Sequence, residues 1–201
     1  MKLIFAPASP FARKVTVLLH ETGQVDDVEL IDVKTSPLAT DPMVQAANPL
    51  GKIPALIRED GPALYDSRVI CRYLDDLAGG GHYPTARQWE TLTLEATADG
   101  IMDAAVLLTY EKRLRPPAMY SEDWAEAQWD KIASAIAAIN SRWMSHLAGR
   151  LDISHIAVAC ALGYVDFRHE SRAWRKDNGA LDDWYAAFAE RPSMMATQPT
   201  G

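Results

Sequence analysis

Cysteine is scarce in this chain. Cys71 and Cys160 are the only two, and they lie far apart in the sequence. No Cys-x-x-Cys pair exists, so neighbouring residues cannot assemble a dithiol redox centre or a cysteine-based zinc site. The five histidines are scattered without metal-ligand spacing, and no metal is expected. Both cysteines therefore read as small buried hydrophobes kept reduced. An excess of positive charge is also missing: 20 basic and 27 acidic side chains leave a formal charge of −7. A surface that tracks phosphates needs clustered Lys and Arg, so a nucleic-acid partner is not expected. Long apolar runs are absent too. The longest, Ile153 to Val165, is broken by Ser154, His155 and Gly163 and falls short of the roughly 20 residues that span a bilayer. The apolar run after Met1-Lys2 meets Pro7, Ser9 and Pro10 too soon to form a secretory h-region. The expectation is a cytoplasmic protein without a membrane partner.

What is present is enough apolar material for two cores. Residues of apolar type make up 48% of 201 positions, a length suited to two domains. The first 77 or so residues alternate short apolar runs with helical stretches. Lys2 to Phe5 reads as a buried strand, and Phe11 to Glu21 as a helix with Val15, Leu18 and Leu19 on one face. Val28 to Val33 alternates like a half-buried strand. A loop with Pro37, Pro42 and Pro49 follows, with room for a short helix over Met43 to Ala47. Strands are then expected at Ile53 to Ile57 and at Ala63-Leu64, before a helix from Asp66 to Leu77. That order predicts a small mixed sheet with helices packed on it.

Ala78 to Thr85 contains three glycines and a proline and marks the boundary. The sequence thus divides into a first domain over 1–78, a linker over 79–85 and an all-helical domain over 86–201. Strand signals vanish after the linker. Long helices are expected over Ala86 to Arg115 and Glu122 to Leu147, separated by Pro116-Pro117. A nearly all-apolar helix follows over Leu151 to Phe167, and a last one over Leu181 to Ala189 ends before Pro192.

Three short segments carry polar groups at element boundaries. In Ser9-Pro10-Phe11-Ala12-Arg13-Lys14, Ser9 is a natural N-cap and Pro10 suits the first helical position, where no donor is needed. Capping alone accounts for both. Equally, a hydroxyl at the positive end of a helix dipole favours an anion or thiolate. In Asn48-Pro49-Leu50-Gly51-Lys52-Ile53-Pro54-Ala55-Leu56, Pro54 interrupts a strand and removes a ladder donor. A cis Ile53-Pro54 bond would turn the Ile53 backbone towards an extended ligand. In Tyr65-Asp66-Ser67-Arg68, Asp66 and Ser67 can cap the next helix, or offer a carboxylate and hydroxyl to an α-amino and α-carboxylate pair.

These three segments in this order resemble the glutathione transferase superfamily, and the resemblance covers essentially the whole chain. Ala98-Asp99-Gly100-Ile101-Met102-Asp103-Ala104 and Ile156-Ala157-Val158-Ala159-Cys160-Ala161-Leu162-Gly163-Tyr164 are similar to a bacterial branch of the YibF type. The resemblance implies an α/β thioredoxin-like N-terminal domain that binds glutathione, followed by an all-α C-terminal domain. It implies that Ser9 faces the glutathione sulfur and that Phe11 lies beside it. The Ile53 backbone, with Pro54 cis, would pair with the cysteinyl part, Asp66 and Ser67 would hold the γ-glutamyl end, and Lys52 would reach the glycyl carboxylate. It also implies a homodimer and a role in detoxification. Asp66-Ser67 departs from the Glu-Ser of many relatives by one methylene. In the second domain Asp152 is the expected cap, with Leu151 and Ile156 as a hydrophobic staple. His155 then stands where a capping-box acid is usual, which predicts slightly weaker capping.

Ser9-Pro10-Phe11-Ala12 occupies the place of a Cys-Pro-x-Cys motif without either sulfur, which excludes dithiol exchange there. A serine can instead donate to the glutathione sulfur and favour its thiolate. A thiol of pKa about 8.5 is only about 3% ionised at pH 7, and lowering it by about two units raises the thiolate roughly 25-fold, for about 2.7 kcal/mol. The expected reaction is attack of that thiolate on an electrophile held between the two domains, with Met102, Ala105, Val106 and Tyr110 as pocket residues. Met194 and Met195 are candidate roof residues; packing accounts equally well for all six. A glutathione-dependent peroxidase and a non-catalytic interaction module on the same fold are the alternatives. A lyase or dehalogenase forming a mixed disulfide is disfavoured because Ser9 is not a cysteine.

Overall fold

The computed structural model describes every residue from Met1 to Gly201. The chain forms two compact units, one of residues 1–85 with 191–201 and one of residues 86–190. The first is a thioredoxin-like domain. Strand β1 (Lys2–Phe5) is followed by helix α1 (Pro10–Glu21), strand β2 (Glu29–Asp32), helix α2 (Pro42–Ala47), strand β3 (Ala55–Ile57) and helix α3 (Ser67–Leu77). The sheet order is β2-β1-β3, with β1 parallel to β2 and antiparallel to β3. Leu3 pairs with Leu30 on one side and with Leu56 on the other. Leu3, Val15, Leu18, Leu56, Ile70 and Leu74 are fully buried where α1 and α3 pack. Ile4 belongs to a separate cluster with Val33 and Val44, the latter from α2.

Two boundaries differ from the sequence expectation. The strand expected from Ile53 starts at Ala55, because Pro54 has no N–H to give the ladder. Ala63-Leu64 contributes a single bridge, Leu64 to Leu56, rather than a strand. After α3, Gly79, Gly80 and Gly81 all take positive φ, of 90°, 77° and 137°, which residues with a Cβ rarely adopt. The buried Asp75 carboxylate holds this turn closed by accepting from the His82 N–H at 3.0 Å and contacting its ring nitrogen at 2.9 Å.

The second unit is all helical. Helix α4 (Gln88–Leu114) packs along α5 (Glu122–Arg142) and α7 (Ile153–His169), with α6 (Met144–Leu147) and α8 (Gly179–Ala189) completing it. The single helix expected over 122–147 is divided at Trp143, whose N–H still bonds the Ile139 carbonyl. Every residue from Ile153 to Val165 is buried, so α7 is the centre of this unit. A short helix absent from the sequence reading, α9 (Pro192–Ala196), has Pro192 at its first position, where a missing N–H costs nothing. It packs against α1, so residues 191–201, assigned by sequence to the helical domain, complete the first unit instead.

The start of α7 corrects a second expectation. Asp152 and His155 form a full capping box: the Asp152 carboxylate serves the first-turn backbone, and the His155 ring nitrogen accepts from the Asp152 N–H at 3.3 Å. The same nitrogen lies 2.9 Å from the Asp152 carboxylate, so it serves the capping box as an acceptor in one tautomer and donates to the carboxylate in the other.

Candidate functional site

Strand register brings the three polar segments to one edge of the sheet. Ile4 opposes Ala55, so Pro54 and Ile53 lie level with the carboxyl end of β1, where the chain runs on to Ser9. Leu64 opposes Leu56 in the antiparallel sense, which carries Tyr65, Asp66 and Ser67 back to that same edge. Ligands in open α/β sheets bind beyond strand carboxyl ends for this reason: loops and helix N-termini collect there.

Ser9 is half-buried at the N-cap of α1, and its Oγ accepts from the Ala12 N–H at 3.3 Å. The long contact leaves the hydroxyl hydrogen uncommitted to that bond, because Oγ is the acceptor in it. Phe11, half-buried, sits one turn-start further on. Ile53 is half-buried and followed by the buried Pro54, with the bond between them cis. The Ile53 N–H and carbonyl take no hydrogen bond from the chain. Lys52 is exposed. Asp66 caps α3 from an exposed position, accepting from the Arg68 N–H at 3.0 Å, and the buried Ser67 opens the helix.

Asn48 holds the loop that presents Ile53, and the sequence reading passed over it. It is 3% exposed. Its amide donates to the Lys52 carbonyl at 2.8 Å, its side-chain oxygen accepts from the Leu50 N–H at 3.0 Å, and its own carbonyl accepts from Gly51. Gly51 has φ +64°, and a Cβ there would press on Thr40 at 3.0 Å. The Asn-Pro-x-Gly turn chemistry immediately before Lys52 was the available signal.

The residues assigned to an electrophile pocket separate by burial. Met102 and Ala105 are fully enclosed, because α4 is covered by both α5 and α7. Val106 and Tyr110 remain half-buried. Burial, with the nearby Tyr164 hydroxyl adding to it, pushes the Tyr110 phenol up from its ordinary value. Tyr110 is therefore a protonated donor at neutral pH. Met194 is almost fully buried beside α1, with its carbonyl bonded to Arg13, and offers no roof; Met195 is exposed.

The sequence showed no metal-ligand spacing, yet folding gathers His146, Asp152 and His155 with ligand atoms within 4.8 Å of one another. This cluster is a helix cap. Asp152 has no exposed surface and accepts from Ser154, Thr91 and Arg87, with both imidazoles against it. Those partners take up the lone pairs of the Asp152 carboxylate.

Burial holds the His146 imidazole below its ordinary pKa, against the upward pull of Asp152; burial does the same to His169, against its bond to the Ala105 carbonyl. Both histidines then bind protons more weakly in the folded unit than in the unfolded chain. Stability of the helical unit is expected to fall as pH drops from about 7 to about 5, because the unfolded state takes up more protons there. Burial would raise Asp152, but hydrogen bonds from His155 and Ser154 outweigh it and hold the carboxyl well below the usual range. Its contribution is present above about pH 4 and lost as pH falls further. Urea midpoints followed by tryptophan fluorescence across that range measure this directly, since all six tryptophans lie between positions 89 and 184. A flat profile between about pH 7 and 5 would contradict it.

The chain matches the family model of the glutathione S-transferase N-terminal domain over residues 8–77 and that of the C-terminal domain over residues 122–187. It is 32% identical to the GST-like protein YibF of Escherichia coli, over 99% of this chain and 98% of that protein. A glutathione transferase family member of Pseudomonas fluorescens Pf-5, solved with bound glutathione, superposes with a TM-score of 0.97 at 49% identity, over 100% and 99% of the two chains. A glutathione S-transferase of Methylobacillus flagellatus KT, solved with glutathione, gives a TM-score of 0.85 at 36% identity, over 99% of each chain.

Proposed function

The chain belongs to the glutathione S-transferase family, and from that premise we propose that it activates glutathione as a thiolate for attack on a small, mainly apolar electrophile. The observation that carries the reading is the unpaired Ile53 backbone standing level with Ser9 and Asp66 at one sheet edge. An extended tripeptide meets complementary groups along that edge. Ile53 pairs with the cysteinyl amide, as one more strand would. Asp66 and Ser67 take the γ-glutamyl ammonium and carboxylate, and the exposed Lys52 reaches the glycyl carboxylate. Phe11 packs beside the cysteinyl methylene.

Ser9 then lies at the sulfur. Its hydroxyl donates a hydrogen bond that stabilises the thiolate more than the thiol, and the positive end of α1 adds to it. Sulfur attacks the electrophilic carbon, a carbon–sulfur bond forms, and the leaving group or the electron pair of an activated double bond departs towards a donor. On α4, Val106 and Tyr110 are proposed to meet the electrophile, the first as apolar wall and the second as that donor. Exposed Leu50, Val69 and Leu77 on the first unit are consistent with a homodimer.

The test is a titration of the protein with glutathione, followed by thiolate absorbance against pH. Saturable binding with a thiolate pKa about two units below the free value of about 8.5 is expected. Binding with an unshifted pKa would leave a ligand-holding role without activation, and no binding would refute the assignment.

A further inference from the structure

A cavity of about 220 Å³ lies inside the first unit, away from Asp66 and Lys52. Phe5 comes from β1, Leu30 from the edge strand β2, Arg13, Thr16 and His20 from one face of α1, and Thr197 from the C-terminal strap. Arg13 is the unusual member. It is 7% exposed, and its only hydrogen bond runs from Nη2 to the Met194 carbonyl at 3.1 Å, while the buried Nε has no partner. No carboxylate of the chain pairs with it. By contrast Arg87, Arg115, Arg172, Arg175 and Arg191 each meet an Asp or Glu. The nearest candidate on its own helix, Glu21, is held by Arg191 and Ser193 of the strap.

A guanidinium stays charged at all working pH and carries five donors. Enclosing one with a single neutral acceptor is costly, because the other donors lose water without gaining a partner of opposite charge. An anion entering the cavity removes that cost. Phe5, the half-exposed Leu30 and the methyl group of Ala196 give the cavity an apolar wall, and Thr16, His20 and Thr197 a polar one. At about 220 Å³ the space is smaller than the 300–1,000 Å³ of drug-sized sites, so it suits a compact ligand.

We propose that this cavity is a binding site for a small organic carboxylate bearing an apolar body, with the buried Arg13 as its ion-pair partner and the Arg191–Gln198 strap as its wall. The carboxylate meets the unfilled guanidinium donors, and the apolar body rests on Phe5 and Leu30. The site is separate from the one proposed for glutathione, because none of Lys52, Ile53, Asp66 and Ser67 lines it.

The probe is 4-(trifluoromethyl)benzoate, followed by fluorine NMR on the full chain, with 4-(trifluoromethyl)benzyl alcohol as the uncharged control. Saturable binding of the carboxylate is expected, unchanged by saturating glutathione, and at least about tenfold tighter than the alcohol, as a charge-assisted contact gives. Arg13→Gln is expected to weaken it by about tenfold or more. Leu30→Trp, on an edge strand that tolerates bulk, fills the cavity and is expected to abolish it while glutathione binding persists. This second variant keeps the test decisive where Arg13→Gln fails to fold. Equal binding of alcohol and carboxylate, displacement by glutathione, or undiminished binding to Leu30→Trp would each overturn the assignment.

Discussion

Replacing Asp152 with alanine is expected to destabilise the helical unit by about 3–5 kcal/mol, the usual effect of removing one partner from a buried charged cluster. Three separate elements depend on this carboxylate. It caps α7 through the Ser154 N–H at 3.0 Å. It accepts from Thr91 of α4 at 3.0 Å. It lies 3.3 Å from the Arg87 guanidinium and 3.0 Å from the His146 ring. Alanine leaves the Ser154 N–H and the Thr91 hydroxyl without this acceptor in a place where Asp152 and its neighbour Ser154 have no exposure to water, while Arg87 keeps the Arg150 carbonyl and His146 the Ser154 hydroxyl. A cap alone is worth about 1 kcal/mol, so the excess over that value measures the cluster. Asp152→Asn keeps the capping oxygen and removes the charge, and is expected to fall between wild type and alanine. Urea unfolding at neutral pH reads both variants. A loss no greater than about 1 kcal/mol for alanine would reduce the cluster to an ordinary cap.

Ser9→Ala is expected to lower turnover at pH 7 by up to about 25-fold, the whole thiolate gain that a two-unit pKa shift supplies. Glutathione affinity should change much less, because the contacts proposed for Ile53, Asp66 and Lys52 are untouched. The pH profile separates this from simple damage: the apparent thiolate pKa should move up towards about 8.5. Alanine also removes the cap of α1, for about 1 kcal/mol of stability. Ser9→Gly provides the control, since glycine caps with a loss of only a few tenths. Turnover should fall alike in both variants while stability does not. Unchanged turnover and pKa in both would remove Ser9 from the mechanism.

Two of the three motif segments had an ordinary capping reading, and the structure realises both caps. Ser9 caps α1 and Asp66 caps α3. Capping and ligand binding draw on the same physics, because a helix N-terminus offers unpaired N–H groups to a side chain or to a substrate. For that reason the segments became legible only together, through order and spacing. Arg13 illustrates the opposite case. In sequence it is one of many arginines on an amphipathic helix, and only the fold reveals that it lost its water without gaining a counter-ion.

The alternation of the first half, the glycine boundary, the apolar α7 and the chemistry of the sheet-edge motifs are all legible in the order of the residues. These are local properties: hydrophobic period, turn residues and capping oxygens act over a few neighbouring positions. Contacts between distant positions follow from the folded arrangement instead. It carried α9 back to α1, made His155 a capping partner, enclosed Met102 and Ala105 between α5 and α7, and drew His146, Thr91 and Arg87 around one carboxylate. Burial and partner choice arise only when separated segments meet. No local pattern encodes which segment will cover a given face.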